Sequence, residues 1–288
     1  VIVRLEESKR FTIRYGLGYQ EREKARGTIE FGNLNIFGTG QRADLRLRAS
    51  RIEQVGILTF QQPQFRYLPV NSYFTLSGQQ KEEVSFDVKR YNLSYQHGRP
   101  VSSHSWALLR YNFRNVRVSR LTGDEPGRDD APRNLSTISA IYINDTRDNY
   151  LDPERGFFTS SDLSLTTRLL GSNNYFSLFT QNSYFHKLGK SLLMATSLRF
   201  GFLQPYGSDT EIPISERFFA GGGSSLRGFE TDRAGPLFPG TPNPKGGNAL
   251  FIFNLEGRIP ILRVLHLAAF YDNGNVFGRL SSMRLSEF

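Results

Sequence analysis

The chain has 288 residues, enough for one large β domain or for two smaller domains. It contains no cysteine, which excludes disulfide bonds and thiolate metal sites, and its four histidines lack the spacing of a zinc site. Its net charge of +9 suits an anionic partner, either nucleic acid or lipid headgroups, and suits a basic pore lining equally well.

Residue usage favours strands and turns over helices. The chain has 13 tyrosines, 24 phenylalanines and 27 glycines. No apolar run approaches the roughly 20 residues that a transmembrane helix needs. A transmembrane β-barrel needs only strands of about 10 residues with an apolar side chain at every second position. The sequence therefore predicts an all-β protein, either soluble or crossing a membrane with strands.

The chain begins with a short charged segment and two predicted strands. Residues 1–10 form a lead-in or the end of an upstream module. The first strand is predicted at Phe11–Tyr19, where Gly16 and Gly18 weaken it because glycine offers no side chain to pack. The second strand is predicted at Ala25–Phe37 and ends in a glycine-containing turn.

The third predicted strand shows the clearest alternation. Its apolar residues are Ala43, Leu45, Leu47 and Ala49, and between them lie Arg42, Asp44, Arg46 and Arg48. In a soluble β-sandwich the apolar face would be core and the arginine face would meet solvent. In a membrane barrel the apolar face would meet lipid and the arginines would line a wet lumen. This strand alone leaves both interpretations open.

Ten further strands are predicted, which makes thirteen. They are Val55–Phe60, Ser72–Gly78, Tyr91–Gln96, Trp106–Val118, Leu135–Asn144, Phe157–Leu169, Tyr175–Leu188, Ser191–Phe202, Ala249–Ile259 and Val264–Tyr271. Nothing among them has a helical period or indicates a second domain. Short turns alternate with long polar connections, a pattern typical of outer-membrane barrels. The strand count therefore favours an antiparallel transmembrane β-barrel over a soluble sandwich.

A glycine-rich stretch, residues 218–230, lies between the eleventh and twelfth predicted strands. A phosphate-binding loop would need Lys-Ser/Thr after its last glycine, and a dinucleotide loop would need glycine at Leu226, so neither fits. Arg227 on such a tight loop carries a planar charged fork suited to a carboxylate. The alternative is a flexible surface hairpin loop.

Two acidic residues after this stretch are candidate partners of Arg227. If the apolar side chains of the twelfth and thirteenth strands face lipid, Glu256 and Asp272 point into the interior. One hypothesis is that the loop folds inward and Arg227 contacts both acids by charge-assisted hydrogen bonds. The other is that the two acids hydrate the wall and pair with lumen arginines.

Five segments together resemble the BamA/TamA superfamily of outer-membrane assembly proteins and the related two-partner secretion pores. The first is the loop motif Leu226-Arg227-Gly228-Phe229, which has leucine where the family has valine. The second is a strand-turn motif formed by Asp145, Arg147, Asp148, Pro153 and Gly156. The others are residues 33–40, 254–260 and 270–277, and all five occur in family order.

The resemblance implies a sixteen-stranded antiparallel barrel in the bacterial outer membrane, with an inward-folded loop between the eleventh and twelfth strands. Residues 11–288 would then form the barrel without about three closing strands. Residues 1–10 would end a periplasmic POTRA module. The resemblance also implies that Arg227 contacts Glu256 and Asp272 in the lumen.

The implied function is the folding and insertion of client β-barrel proteins at a weak lateral seam formed by the first strand, with Gly16 and Gly18. The implied partners are outer-membrane lipids, nascent outer-membrane proteins and accessory periplasmic lipoproteins. No nucleic acid, cofactor, metal or enzymatic chemistry is implied. A two-partner secretion pore and a passive anion-selective porin are the alternatives in the membrane, and a basic nucleic-acid-binding β-protein is the soluble one.

Overall fold

The computed structural model describes residues 9–36, 38–63, 70–122, 131–189, 191–262 and 265–284. Most of the expected POTRA segment, residues 1–8, lies outside this part of the chain. So do Phe37 at the end of the second predicted strand, Val264 at the start of the thirteenth, and the last four residues.

The described residues form one antiparallel sheet of thirteen strands in sequence order, which confirms the predicted all-β fold and strand count. Two short 3₁₀ turns, Ile214–Glu216 and Leu280–Ser282, are the helical segments of this part of the chain. The strands are β1 (Phe11–Gln20), β2 (Lys24–Ile36), β3 (Gln41–Ser50), β4 (Glu53–Gln62), β5 (Asn71–Glu82), β6 (Asp87–Pro100), β7 (Ser105–Ser119), β8 (Arg133–Asp145), β9 (Gly156–Thr167), β10 (Tyr175–Leu188), β11 (Leu192–Pro205), β12 (Ala249–Leu262) and β13 (Leu265–Phe277).

Several strands run beyond the predicted limits. The longest extension at a single strand end is in β13, which continues past Tyr271 to Phe277. Residues 272–275 lie beyond the predicted limit and pair in register with β12. Gly274 has φ +147°, and a β-carbon there would lie 2.2 Å from the carbonyl oxygen of Phe251. Glycine therefore allows the strand to continue where another residue would end it.

The strands alternate as the third predicted strand suggested. Leu47 of β3 faces outward and is about half exposed. Arg46 faces inward and its Nε donates to Oε1 of Glu30 on β2 at 2.6 Å. An apolar exterior around a charged interior is the arrangement of a membrane barrel rather than of a soluble sandwich. No helix in the described ranges is long and apolar enough to cross a membrane.

The connection from Tyr206 to Asn248, hereafter the inner loop, packs inside the sheet. Its Ile214 and Phe238 join Val88, Val116 and Leu135 of the wall in one buried cluster. Its Ala220, Leu226 and Ala234 join Leu250, Ile252 and Val276 in a second. These contacts fix the loop against β6–β8 on one side and against β12 and β13 on the other.

Candidate functional site

The glycine-rich stretch folds into a tight turn at the tip of the inner loop. Gly221 and Gly222 have φ of +123° and +83°, the left-handed region that favours glycine. The Ser225 hydroxyl accepts from the Gly221 N–H at 2.7 Å, and the Gly222 N–H donates to the Phe229 carbonyl at 2.8 Å. Leu226 is 1% exposed and holds the turn in the second buried cluster. This packing presents Arg227 to the wall.

Arg227 contacts both candidate acids. Its Nε and Nη2 donate to Oδ2 and Oδ1 of Asp272 at 2.8 and 2.7 Å, a bidentate pair. Its Nη1 donates to Oε2 of Glu256 at 2.6 Å, and its backbone N–H donates to Oδ2 of Asp272 at 3.0 Å. Asp272 is 6% exposed, against 26% for Arg227. The structure therefore brings the three residues of the first hypothesis together, and we call them the arginine clasp.

The alternative hypothesis also describes part of the geometry. Oε1 of Glu256 accepts from Nε of Arg258 at 2.6 Å, and Arg258 is an inward-facing arginine of the same strand. Glu256 therefore bridges a loop arginine and a wall arginine, whereas the Asp272 side chain pairs only with Arg227 among the described cations. The guanidinium of Arg227 also lies 3.5 Å from the ring centre of Phe270, a cation–π contact.

Two residues that the sequence reasoning did not single out complete the network. Asn254 donates from Nδ2 to Oδ1 of Asp272 at 2.9 Å and to the carbonyl of Ser225 at 2.8 Å. Arg199 of β11 donates to Oδ1 of Asn254 at 3.0 Å and to the carbonyl of Ser224 at 3.1 Å. Both residues lie on inward-facing positions, so strand parity alone could have identified them as candidates.

We expect Asn254→Ala to lower the free energy of unfolding by roughly 1–2 kcal/mol, because it leaves the Ser225 carbonyl and one Asp272 oxygen with fewer donors. Thermal unfolding in detergent micelles, followed by heat-modifiable gel mobility, measures the change. Asn273→Ala is the matched control, because the Asn273 amide donates to the Tyr271 hydroxyl and does not contact the clasp. Equal midpoints for the two variants would contradict the assigned role of Asn254.

The predicted strand-turn motif forms the connection between β8 and β9. Arg147 makes a bidentate pair with Asp145, with distances of 2.8 and 2.7 Å, and lies over the Phe158 ring. Pro153 is buried. Gly156 has φ +104°, and a β-carbon there would lie 2.3 Å from the Thr146 carbonyl oxygen. The motif is therefore a built turn with its own charge pair, remote in sequence from the clasp.

Asp148 holds this turn through three backbone donors. Its Oδ1 accepts from the N–H groups of Asn149, Glu154 and Arg155 at 2.9, 3.0 and 3.1 Å. These donors, that of Arg155 first, lower the pKa of Asp148 below its ordinary value because they stabilise the charged carboxylate.

The turn should keep its hydrogen bonds as pH falls past the ordinary aspartate pKa of about 3.9, and lose them only near the lower pKa of folded Asp148. A lowered folded pKa contributes stability above the unfolded pKa, and acid removes that contribution. Amide resonances of Asn149, Glu154 and Arg155, followed by NMR during acid titration, report this transition. In Asp148→Asn the transition should disappear, and its persistence would assign it to another group.

The two seam glycines lie on β1 and face inward, on the same face as Arg14, which pairs with Glu30 at 2.9 Å. A β-carbon on Gly16 would meet nothing within 4 Å, and one on Gly18 would meet only the end of the Arg26 side chain at 3.4 Å. Neither position requires glycine for space. Among the described strands, β1 pairs with β2 alone.

The described residues include no group of three or more histidines, aspartates or glutamates placed to hold a metal ion. The acids of the arginine clasp are occupied by arginine and asparagine donors. The arrangement is suited to holding a loop in position.

Comparison with known proteins agrees with this geometry. Residues 35–287 match the Omp85 superfamily domain. BamA, the outer membrane protein assembly factor of Neisseria meningitidis, is 26% identical over 280 residues, which is 84% of this chain and 34% of that protein. A SAM50-like protein of Schizosaccharomyces pombe is 28% identical over 132 residues, 44% of this chain and 27% of that protein.

A solved structure shows the same fold. BamA from Haemophilus ducreyi lacking POTRA domains 1–3 superposes with a TM-score of 0.84 at 18% identity, covering 94% of this chain and 58% of that one. The chain is an outer-membrane β-barrel. It belongs to the Omp85 superfamily, and it spans about a third of the length of its N. meningitidis relative.

Proposed function

We propose that this chain is the barrel of an outer-membrane protein assembly factor, which folds and inserts client β-barrel proteins. The observation that carries the proposal is the arginine clasp, which fixes the inner loop inside the barrel through β12 and β13. If the loop is held in the lumen, the strands of the wall are the surface on which a client can pair. The BamA and SAM50-like relatives, as named, support the same function.

In this proposal the client pairs with β1 at a lateral seam. An unpaired strand edge is a template for another strand, and client strand pairing with apolar burial supplies the free energy. Gly16 and Gly18 leave β1 without side chains to pack at two inward positions, which makes its pairing easier to exchange. No nucleotide, metal or covalent step is part of the proposed mechanism.

The inner loop also contacts the hairpin that contains β1. Arg22, in the turn between β1 and β2, lies with its Nη1 3.5 Å from Oδ2 of Asp232 in the inner loop. It lies 3.9 Å from Glu83 in the turn between β5 and β6. A shift of the inner loop would therefore move Arg22 and the end of β1 beside it. We propose outer-membrane lipids and accessory periplasmic lipoproteins as further partners, on the strength of the family resemblance.

The described interior favours assembly over a passive anion-selective porin. Arg46 pairs with Glu30, which Arg14 also contacts, and Arg48 pairs with Glu53, so acids of the wall offset part of the charge of these lumen arginines. The inner loop fills one part of the interior, and a polar cavity of about 610 Å³ lies beside it. A two-partner secretion pore remains the second candidate within the superfamily, and a wide stable conductance in planar bilayers would favour it.

Site-specific disulfide capture tests the seam. The chain has no cysteine, so each introduced cysteine is its sole thiol. A client carrying one cysteine in its last strand is presented to variants with a single cysteine at Thr12 or Arg14 of β1. We expect at least tenfold more cross-linked product than with cysteine at Asp44 or Arg46 of β3, which has a paired strand on each side. Equal yields at β1 and β3, with clients still inserted, would contradict the seam.

A further inference from the structure

The outward face of β3–β7 carries side chains in rows that cross the strands at the same level. The row nearest the inner-loop rim contains Glu82, Asp87 and Ser119, and the row beside it is polar and contains Gln54, Gln80, Lys89 and Arg117. The next contains Leu47, Gly56, Gly78, Tyr91 and Asn115, and the one below it contains Leu45, Leu58, Leu76, Leu93 and Phe113. Rows are two residues apart, about 6–7 Å, so a polar level lies directly above an apolar one.

A groove opens below the polar row. Gly56 and Gly78 are direct register partners, so the sheet has no side chains at that point. Tyr15, Leu17, Ile29, Leu47 and Tyr91 stand around the opening, which has a volume of about 720 Å³. Gln80 and Lys89 line its polar end. The groove therefore joins an apolar floor to a cationic rim on the surface that faces the bilayer.

The two cations of this rim form no ion pair among the described residues, although Glu82 and Asp87 lie in the neighbouring row of the same face. Lys89 and Arg117 are direct cross-strand partners, and both are exposed. Like charges directly opposite each other in a sheet are destabilising. The nearby acid Asp87 is taken by Arg120, at 2.9 and 2.7 Å, and no described acidic side chain pairs with either member of the Lys89–Arg117 pair. An external anion would offset the repulsion.

We propose that this groove is a binding site for a phosphorylated membrane lipid. The phosphate contacts Lys89 and Arg117, and an acyl chain lies over Gly56 and Gly78. Charge complementarity selects the anionic headgroup, and the apolar floor two residues further from the rim accepts the chain. A client strand fits less well, because β4 and β5 are paired on both sides and offer no free edge. The inference rests on the membrane placement of the barrel and not on its proposed assembly function.

Native mass spectrometry of the protein in a neutral detergent tests the site. Dioleoyl phosphatidic acid and dioleoyl phosphatidylcholine are added at equal concentrations, and bound lipid is counted. We expect the phosphatidic acid to be retained preferentially. The double variant K89Q and R117Q should weaken its binding by roughly 30-fold, the effect of losing two basic side chains at a membrane surface.

A second variant tests the groove separately from the charges. Ideal β-carbons on Gly56 and Gly78 would lie 3.4 and 3.5 Å from the nearest side chains, so both positions have room for a side chain. Gly56→Leu combined with Gly78→Leu would fill the groove while Lys89 and Arg117 remain. We expect this variant to lose the phosphatidic acid as well.

The matched control is the double variant R99Q and R155Q, which removes two exposed charges at the opposite rim. It should bind phosphatidic acid as the unaltered chain does. Equal retention by the K89Q and R117Q variant would overturn the headgroup site, and equal retention by the groove-filled variant would overturn the acyl site. Displacement of phosphatidic acid by inorganic phosphate alone would also contradict a site that needs the acyl chain.

Discussion

Replacing Arg227 by alanine is expected to lower the free energy of unfolding by about 3 kcal/mol, because it leaves the carboxylate of Asp272 largely buried beside fewer donors. Asp272 is 6% exposed and the Glu256 side chain 19%. Asp272→Ala should cost a similar amount, since it leaves the guanidinium of Arg227 with one acid. The temperature at which each variant loses its heat-modifiable gel mobility measures both effects, and it should be lower than that of the unaltered chain. Client insertion should fall in parallel.

Arg233→Ala is the control for this prediction. Arg233 lies in the same loop and pairs with Glu230, whose side chain is 73% exposed, so its removal should change stability by less than about 1 kcal/mol. Arg227→Lys should recover only part of the loss, because an ammonium group lacks the bidentate fork. Unchanged mobility and unchanged client insertion in both Arg227→Ala and Asp272→Ala would contradict a stabilising role for the arginine clasp.

Gly221→Ala is expected to destabilise the loop tip by about 2–4 kcal/mol through backbone strain and overlap. Gly221 has φ +123°, and a β-carbon there would lie 2.1 Å from the Glu230 carbonyl oxygen. The tip must shift to accommodate the methyl group, which displaces Leu226 and Arg227 from the wall. Thermal unfolding and protease sensitivity of the loop measure the effect.

Gly223→Ala provides the comparison within the same run of three glycines. A β-carbon on Gly223 meets nothing within 4 Å, and its φ is outside the left-handed region. We expect Gly223→Ala to change the free energy of unfolding by no more than an ordinary surface substitution does, roughly 0.5 kcal/mol. If both variants unfold alike, the strain assigned to Gly221 is wrong.

Strand parity made the arginine clasp one of two hypotheses, because parity fixes which side chains share a face. The apolar positions of β12 assign Glu256 to the interior, and the register that pairs Asn254 with Asp272 places that acid on the same face. These two acids were therefore the candidate partners of the Arg227 guanidinium. The family resemblance implied the same contacts.

The supporting contacts were harder to predict because they depend on the loop backbone. Arg199 binds the carbonyl groups of Ser224 and Ser225, and carbonyl positions cannot be read from side-chain patterns. Its inward parity in β11 and that of Asn254 were visible, but many inward polar residues of a barrel only meet water. Geometry separates these two from the rest.

The inward apolar residues show the clearest limit of pattern reasoning. A wet lumen predicts polar inward positions, yet Val88, Leu135 and Ile252 face inward and are almost fully buried. They are apolar because the inner loop packs on them: Phe238 shares one buried cluster with Val88 and Leu135, and Leu226 shares the other with Ile252. Alternation within a strand carries no information about a loop that returns from far along the chain.

A double-mutant cycle on Arg227→Ala and Asp272→Ala tests most directly whether the arginine clasp fixes the inner loop to the wall. If the two side chains form the pair described here, the double variant should lose less stability than the two single losses added together, with a coupling of about 1.5–3 kcal/mol. Losses that simply add would mean that Arg227 and Asp272 act independently, and would contradict a loop fixed to the barrel wall by this guanidinium.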